Sequence, residues 1–186
     1  MNERRFSSEI ERLRAPERVE RLEVARVVSL SLDGLTATSI LDVGTGSGLF
    51  AEAFAAQRRR VAGVDLREDM LAAARLYVPG GEFRQAHMAA LPYTDAAFDL
   101  VFLGLVLHEA DNLRRALAEA YRVAVRRVVV LEWPYQTQEF GPPLEHRLPI
   151  AQITQTAAAV GFQRVTHQAL THLSLYQLDK PAEGQS

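Results

Sequence analysis

The chain has 186 residues, enough for one domain with a substantial core, and a formal net charge of -2, which lacks the broad basic field of a protein that grips nucleic acid through its phosphates. It has no cysteine, so it offers no disulfide, no thiolate nucleophile and no thiolate metal site, and no metal is expected. No apolar run approaches membrane-spanning length and the first fourteen residues are charged rather than signal-like, so a cytoplasmic protein without a membrane span or nucleic-acid partner is expected.

Ser8 to Glu11 has the pattern of a capping box, and a short charged helix is expected to end near Arg14, before Pro16. Pro16 suits the first turn of a second helix, whose apolar stripe of Val19, Leu22, Val24, Val27 and Val28 runs until Asp33-Gly34 breaks it. Residues 1–36 therefore read as a helical cap on a domain spanning 37–180, either simply covering one side of a sheet or closing over a ligand.

The next stretch organises the rest. Ile40 to Val43 is an apolar strand interrupted by Asp42, and it opens into Gly44-Thr45-Gly46-Ser47-Gly48 and the start of a helix carrying Leu49, Phe50, Ala53 and Phe54 on one face. Glycine reaches positive φ and has no Cβ, so this turn can bring bare backbone against a ligand, with the first amides of the helix pointing into the same cradle. The third glycine of a dinucleotide fingerprint falls on Leu49 instead, and Asp42 would repel a pyrophosphate. An acid there suits a cationic ligand.

Arg60 to Asp65 is a second short strand ending in an acid, at the spacing from which a carboxylate binds a ribose diol in nucleotide-binding units, although a strand-terminal Asp can also simply cap a helix. Glu82 to Gln85 and Phe98 to Leu103 read as the third and fourth strands, and Leu113, Ala116, Leu117, Ala120 and Tyr121 mark a helix. His108 and Glu109 lie between them as candidate bases or as plain helix-start residues. The apolar run from Arg127 to Leu131 suits a strand buried on both faces and ends at Glu132-Trp133. A long connection, Pro134 to Pro149, leads to a helix through Ile150, Ile153, Ala157 and Val160 that stops at Gly161. Phe162 to Leu170 and Leu173 to Leu178 read as an antiparallel strand pair, and 181–186 as a disordered tail. This alternation specifies an α/β, doubly wound sheet with ligands at the carboxyl ends of its strands.

From Thr38 to Lys180 the chain resembles the class I S-adenosylmethionine-dependent methyltransferases, in particular their small-molecule branch of ubiquinone/menaquinone methyltransferase type. The likeness lies in Asp42 to Gly48, in Asp65 to Leu71, and in Leu91-Pro92-Tyr93 after an adenine-binding loop. It implies a Rossmann-like methyltransferase sheet, mostly parallel with an antiparallel C-terminal strand pair. It also implies S-adenosylmethionine held by Asp42, Gly44, Thr45, Gly46, Gly48, Asp65, Leu66, His87, Met88 and Leu103. The reaction implied is in-line displacement of the methyl group onto a small, partly apolar acceptor. Two departures stand out: His87 replaces an Asp that many members direct at the adenine amino group, and Val123 to Arg126 replaces a Pro-Gly-Gly turn. His108, Glu109, Glu132 and His146 are the candidate acid–base residues, and Tyr135 and Phe140, on the long connection with Trp133 and Glu139, are candidates for the acceptor. The rival readings are a non-catalytic S-adenosylmethionine-binding module or subunit and a nicotinamide-dependent oxidoreductase.

Overall fold

The first strand, β1 (Ser39–Val43), is buried at every residue, as a strand covered by helices on both faces must be. In a computed structural model, which describes residues 9–181, β1 sits near the middle of a seven-stranded sheet of order β3-β2-β1-β4-β5-β7-β6. β2 (Arg60–Asp65), β3 (Glu82–Gln85), β4 (Phe98–Gly104) and β5 (Ala124–Glu132) run parallel to it, whereas β7 (Ser174–Asp179) pairs antiparallel with both β5 and the edge strand β6 (Arg164–Ala169). This is the mostly parallel, doubly wound sheet with an antiparallel C-terminal pair that the alternation of elements specifies.

Strand periodicity sends alternate residues of β1 into two cores. Leu41 and Val43 face α6 (Leu113–Val123) and α7 (Ile150–Val160), packing with Leu117, Ala120, Ile153 and Ala157. Ile40 faces the other layer, which comprises α3 (Val24–Leu32), α4 (Leu49–Ala56) and α5 (Glu68–Tyr77). There Phe102 of β4 meets Phe50 and Phe54 of α4 at ring-centroid distances of 4.8 and 5.3 Å. Such tilted pairs each add about 0.5–1.5 kcal/mol to burial, and these two anchor α4 directly behind the glycine turn.

Two expectations about the elements are corrected. The helix expected from Pro16 to Asp33 is two: α2 (Pro16–Arg21) and α3 are separated by Leu22 and Glu23, and Glu23 adopts φ 48°. Leu22 is drawn into the core at the break, while the Glu23 carboxylate accepts the Thr171 N–H at 2.8 Å and pairs with Arg26 at 2.6 Å. These contacts hold a conformation that a non-glycine residue rarely adopts. The fifth strand starts at Ala124 rather than Arg127, immediately after α6, because Val123 and Ala124 are both fully buried and leave no room for a solvated turn. Arg127 survives inside this strand by directing its guanidinium to Asp179, at 2.6 Å, and to the carbonyls of Ser31 and Asp33. Residues 9–13 are the described part of α1; Ser8 of the capping-box pattern and the tail expected beyond Pro181 lie outside the described residues. Among the described residues no helix is long and apolar enough to cross a membrane.

Candidate functional site

The turn after β1 folds over the end of β2, with the Gly44 and Thr45 amides both donating to the Val64 carbonyl at 2.8 and 2.9 Å. Gly44, Gly46 and Gly48 all have positive φ, 69°, 52° and 77°. Their neighbours differ. A Cβ on Gly44 would lie 2.5 Å from a methyl of Val106 and one on Gly48 would lie 3.0 Å from Ala74, so these two glycines let α5 and the end of β4 approach. A Cβ on Gly46 would meet nothing within 4 Å, because Gly46 faces an open cleft.

Asp65 closes the other side of the turn. Its Oδ2 accepts the Gly46 N–H at 2.8 Å and its Oδ1 accepts the Arg67 N–H at 2.9 Å, so each oxygen holds one backbone amide and keeps further acceptor capacity toward the cleft. The cleft, about 290 Å³, has Leu66, Ala86 and Met88 on one wall and Leu105 and Val106 on the other. Leu66 is 57% exposed, an apolar side chain presented to the opening. Glu9 and Leu13 of α1 roof it. Two arginines pin that roof: Arg67 donates to both oxygens of Glu9 at 2.9 and 3.0 Å, and Arg14 donates to the Ser47 carbonyl at 2.9 Å, pairs with Glu52 and stacks on Tyr77.

Gly44, Gly46, Asp65, Leu66 and Met88 thus line one opening, and the other residues singled out for the cofactor lie elsewhere. Asp42 is 2% exposed beneath the turn, accepting the Thr45 hydroxyl at 2.7 Å and an amide of α4 at Ala51. Burial pushes its carboxyl up to about 7 despite those bonds, with the charge of Asp65 adding to the rise. Asp42 and Thr45 therefore brace the turn from below. Gly48 packs on α5, and Leu103 is fully buried in the core. Ligands in parallel sheets bind beyond the strand ends, and it is Leu105, at φ 58°, and Val106, just past Gly104, that reach the cleft. His87 lines a neighbouring cavity with Asp111, Asn112 and Arg115. Its Nδ1 accepts the Ala89 N–H at 3.1 Å, which places the ring proton on Nε2 and spends the acceptor that an adenine amino group would need.

Of the acid–base candidates, three come together. His108 Nδ1 lies 2.9 Å from Glu132 Oε2 and 3.1 Å from Oε1, and its Nε2 is 4.0 Å from Glu109. His146, on the short 3-10 turn Leu144–His146, is exposed and lies apart from them.

Residues 41–130 match the family model described as a methyltransferase domain. Over 139 residues the chain is 31% identical to the malonyl-[acyl-carrier protein] O-methyltransferase of Serratia marcescens, covering 68% of this chain and 54% of that protein. Over 104 residues it is 32% identical to the demethylmenaquinone methyltransferase of Chlorobaculum parvum, covering 55% and 43%. Over this stretch the chain is similar to class I methyltransferases. It spans about half the length of these curated relatives. A crystal structure of a SAM dependent methyltransferase from Aquifex aeolicus shares the fold with a TM-score of 0.78 at 21% identity, covering 92% of this chain and 97% of that one.

Beyond the matched residues, the connection from Pro134 to Pro149 is an ordered strap organised by Arg147. That side chain is 4% exposed and donates to the carbonyls of Pro134, Gln136, Phe140 and Pro142 and to the Gln138 side chain, at 2.6–3.1 Å. Trp133 is buried against Gly141, where a Cβ would come within 2.5 Å of the indole. Phe140 turns away from the cleft: its ring stacks under Arg21 at 3.5 Å and edges onto His172, in a recess with Glu17 and Glu23. Tyr135 is 51% exposed.

Proposed function

We propose that this domain binds S-adenosylmethionine in the cleft between the glycine turn and Asp65 and transfers its methyl group to a small, partly apolar acceptor. The observation that carries the reading is the junction of Gly46 and Asp65. Bare, left-handed backbone and a carboxylate with acceptor capacity to spare face the same opening, which suits a ribose diol beside a polar chain. Leu66, Ala86 and Met88 supply an apolar wall for a purine, and the exposed face of Leu66 offers it a flat contact. The third-glycine position of a dinucleotide site is Leu49, which supports the methyl donor over a nicotinamide cofactor.

When bound, the cofactor supplies a methyl group on a sulfonium, a leaving group that needs no further activation. The chain then has to hold the acceptor and exclude water. Orientation of this kind can lower a barrier by roughly 7–11 kcal/mol in favourable systems. Leu13, Leu105 and Val106 give the cleft the apolar surface that supports a partly apolar acceptor, and α1 covers it. The same reading places the enzyme in the cytoplasm, acting on a metabolite rather than on nucleic acid.

Incubation with methyl-labelled S-adenosylmethionine and a small-molecule extract tests this proposal. Label is expected in a low-mass acceptor. Binding of the donor without transfer to any fraction would instead favour a non-catalytic module, and preferential binding of a nicotinamide dinucleotide would overturn the cofactor assignment.

A further inference from the structure

A second cavity, of about 630 Å³, opens at the end of the sheet opposite the cofactor cleft, where β5 begins and β7 ends. Among the described residues four cations, Arg126, Arg127, Arg164 and Lys180, line it with a single carboxylate, Asp179. The chain as a whole has a formal net charge of -2, so this is a local concentration of positive charge. Strand register builds it. Arg127 of β5 and Arg164 of β6 both lie opposite Asp179 of β7, which sets the three side chains in one row across three strands. Asp179 Oδ1 accepts from Arg127 Nε at 2.6 Å, and its Oδ2 accepts from Arg164 Nε and Nη2 at 3.0 and 2.9 Å.

Two of the four cations are committed to the fold. Arg127, 4% exposed, also donates to the Ser31 and Asp33 carbonyls at the end of α3, and Lys180 donates to the carbonyls of Tyr121 and Ala124 at the end of α6. The other two are not so committed. Arg164 is a second guanidinium on a carboxylate that Arg127 already pairs, and its side chain is 65% exposed. Arg126 is exposed beside the buried Arg127 and has no carboxylate partner among the described residues. It also falls in the segment that stands in place of the Pro-Gly-Gly turn, so the cluster is built on a departure from the methyltransferase resemblance.

We propose that this cavity binds the phosphate group of a small soluble molecule, with Arg126 and Arg164 as its direct contacts and Arg127 and Lys180 supplying field from the walls. A guanidinium presents a rigid fork of donors that matches two phosphate oxygens, and a cavity lined by one sign of charge focuses its field on what enters. A doubly charged phosphate answers both exposed guanidiniums, whereas a monocarboxylate leaves one unmatched. Leu35 and Val125 give the wall apolar surface for the organic part of the ligand. The proposal stands apart from the methyl-transfer reading, whose cleft lies at the carboxyl ends of the parallel strands.

The test titrates the full chain with inorganic pyrophosphate by calorimetry, with malonate as a dicarboxylate control, and maps the site by backbone amide NMR. Pyrophosphate should bind one site per chain, at least about tenfold more tightly than malonate, and should move the amides of Arg126, Gln163 and Lys180 while leaving Gly44 to Gly48 in place. Arg126→Ala should weaken it by at least about tenfold at an unchanged denaturation midpoint, and Arg164→Ala, which leaves Arg127 on Asp179, should do the same. S-adenosylmethionine affinity should stay the same in both variants. Binding that does not saturate, equal affinity for malonate, or unaltered binding in folded Arg126→Ala would each overturn the proposal. Competition between pyrophosphate and S-adenosylmethionine would overturn it by placing the anion in the cofactor cleft, and retention of the protein on phosphatidylcholine vesicles containing phosphatidic acid would overturn it in favour of a lipid headgroup.

Discussion

The Gly46 amide donates to Asp65 Oδ2 at 2.8 Å, tying the turn that leaves β1 to the end of β2 across nineteen residues of sequence. This bond decides how the two motifs meet: Asp65 both shapes the glycine turn and faces the cleft that the turn opens. The three glycines consequently have separable duties.

Gly44→Ala should damage the fold, because the new methyl would fall 2.5 Å from Val106 at a φ of 69°. A loss of about 1–3 kcal/mol is expected, readable as a lower midpoint in chemical denaturation. Gly46→Val meets no neighbouring atom, although φ 52° strains a branched side chain, and it should obstruct the cleft, so S-adenosylmethionine binding should fail in a protein that still unfolds cooperatively. A folded Gly46→Val protein with normal cofactor affinity would refute the cradle.

Asp42 sets a pH dependence of stability. Its carboxyl is raised to about 7 in the fold against an ordinary value of 3.8, so the folded state binds the proton more tightly than the unfolded chain does. Stability contributed by that proton is present below about pH 4 and is lost as pH rises through 7, by at most roughly 4 kcal/mol at about 1.4 kcal/mol per pH unit. Wild type should therefore gain stability from pH 8 to pH 5, and Asp42→Asn should gain less. Equal slopes in urea titrations at the two pH values would contradict the buried, protonated Asp42.

The strap from Pro134 to Pro149 should depend on one side chain. Arg147→Met would take the guanidinium from four carbonyls and the Gln138 amide oxygen, of which the Pro134 carbonyl keeps the Gln136 N–H, a change expected to cost on the order of 2–4 kcal/mol and to speed amide exchange across the strap. Hydrogen exchange read by mass spectrometry checks it, and unchanged protection would remove Arg147 from this role.

His87→Ala should alter S-adenosylmethionine affinity by less than about threefold, since the ring lines the adjacent cavity and its acceptor nitrogen is engaged with Ala89. A tenfold loss would place His87 back among the cofactor contacts.

The sheet was readable because its signals are local: apolar strands ending in acids, glycines at the turn, helical stripes between them. The antiparallel closing pair was readable for the same reason. What escaped depends on contacts distant in sequence. Glu23 breaks the first long helix because Thr171 lies opposite it, and β5 starts early because Val123 and Ala124 are buried by other elements. Asp42 looks like a ligand residue in sequence, yet Thr45 and α4 enclose it. Leu103 and Leu105 are both apolar residues near a strand end, and only the reach of β4 past Gly104 decides which of them meets the cleft. His108 and Glu132 were each visible as candidates, but their pairing spans twenty-four residues and two strand ends. Arg147 gave no signal at all, since nothing in its neighbours marks it as the donor that five acceptors share.

Calorimetric titration of S-adenosylmethionine into wild type and Asp65→Ala, with a nicotinamide dinucleotide as control, tests whether Asp65 and the glycine turn form the cofactor site. Asp65 is expected to contribute two charge-assisted hydrogen bonds to the ribose, each worth roughly 1.5–3 kcal/mol, and its loss also frees the Gly46 amide. Wild type should show one site per chain and no heat from the dinucleotide, and folded Asp65→Ala should bind at least tenfold more weakly. Equal affinity in the two proteins, or binding of the dinucleotide in preference to S-adenosylmethionine, would contradict that site.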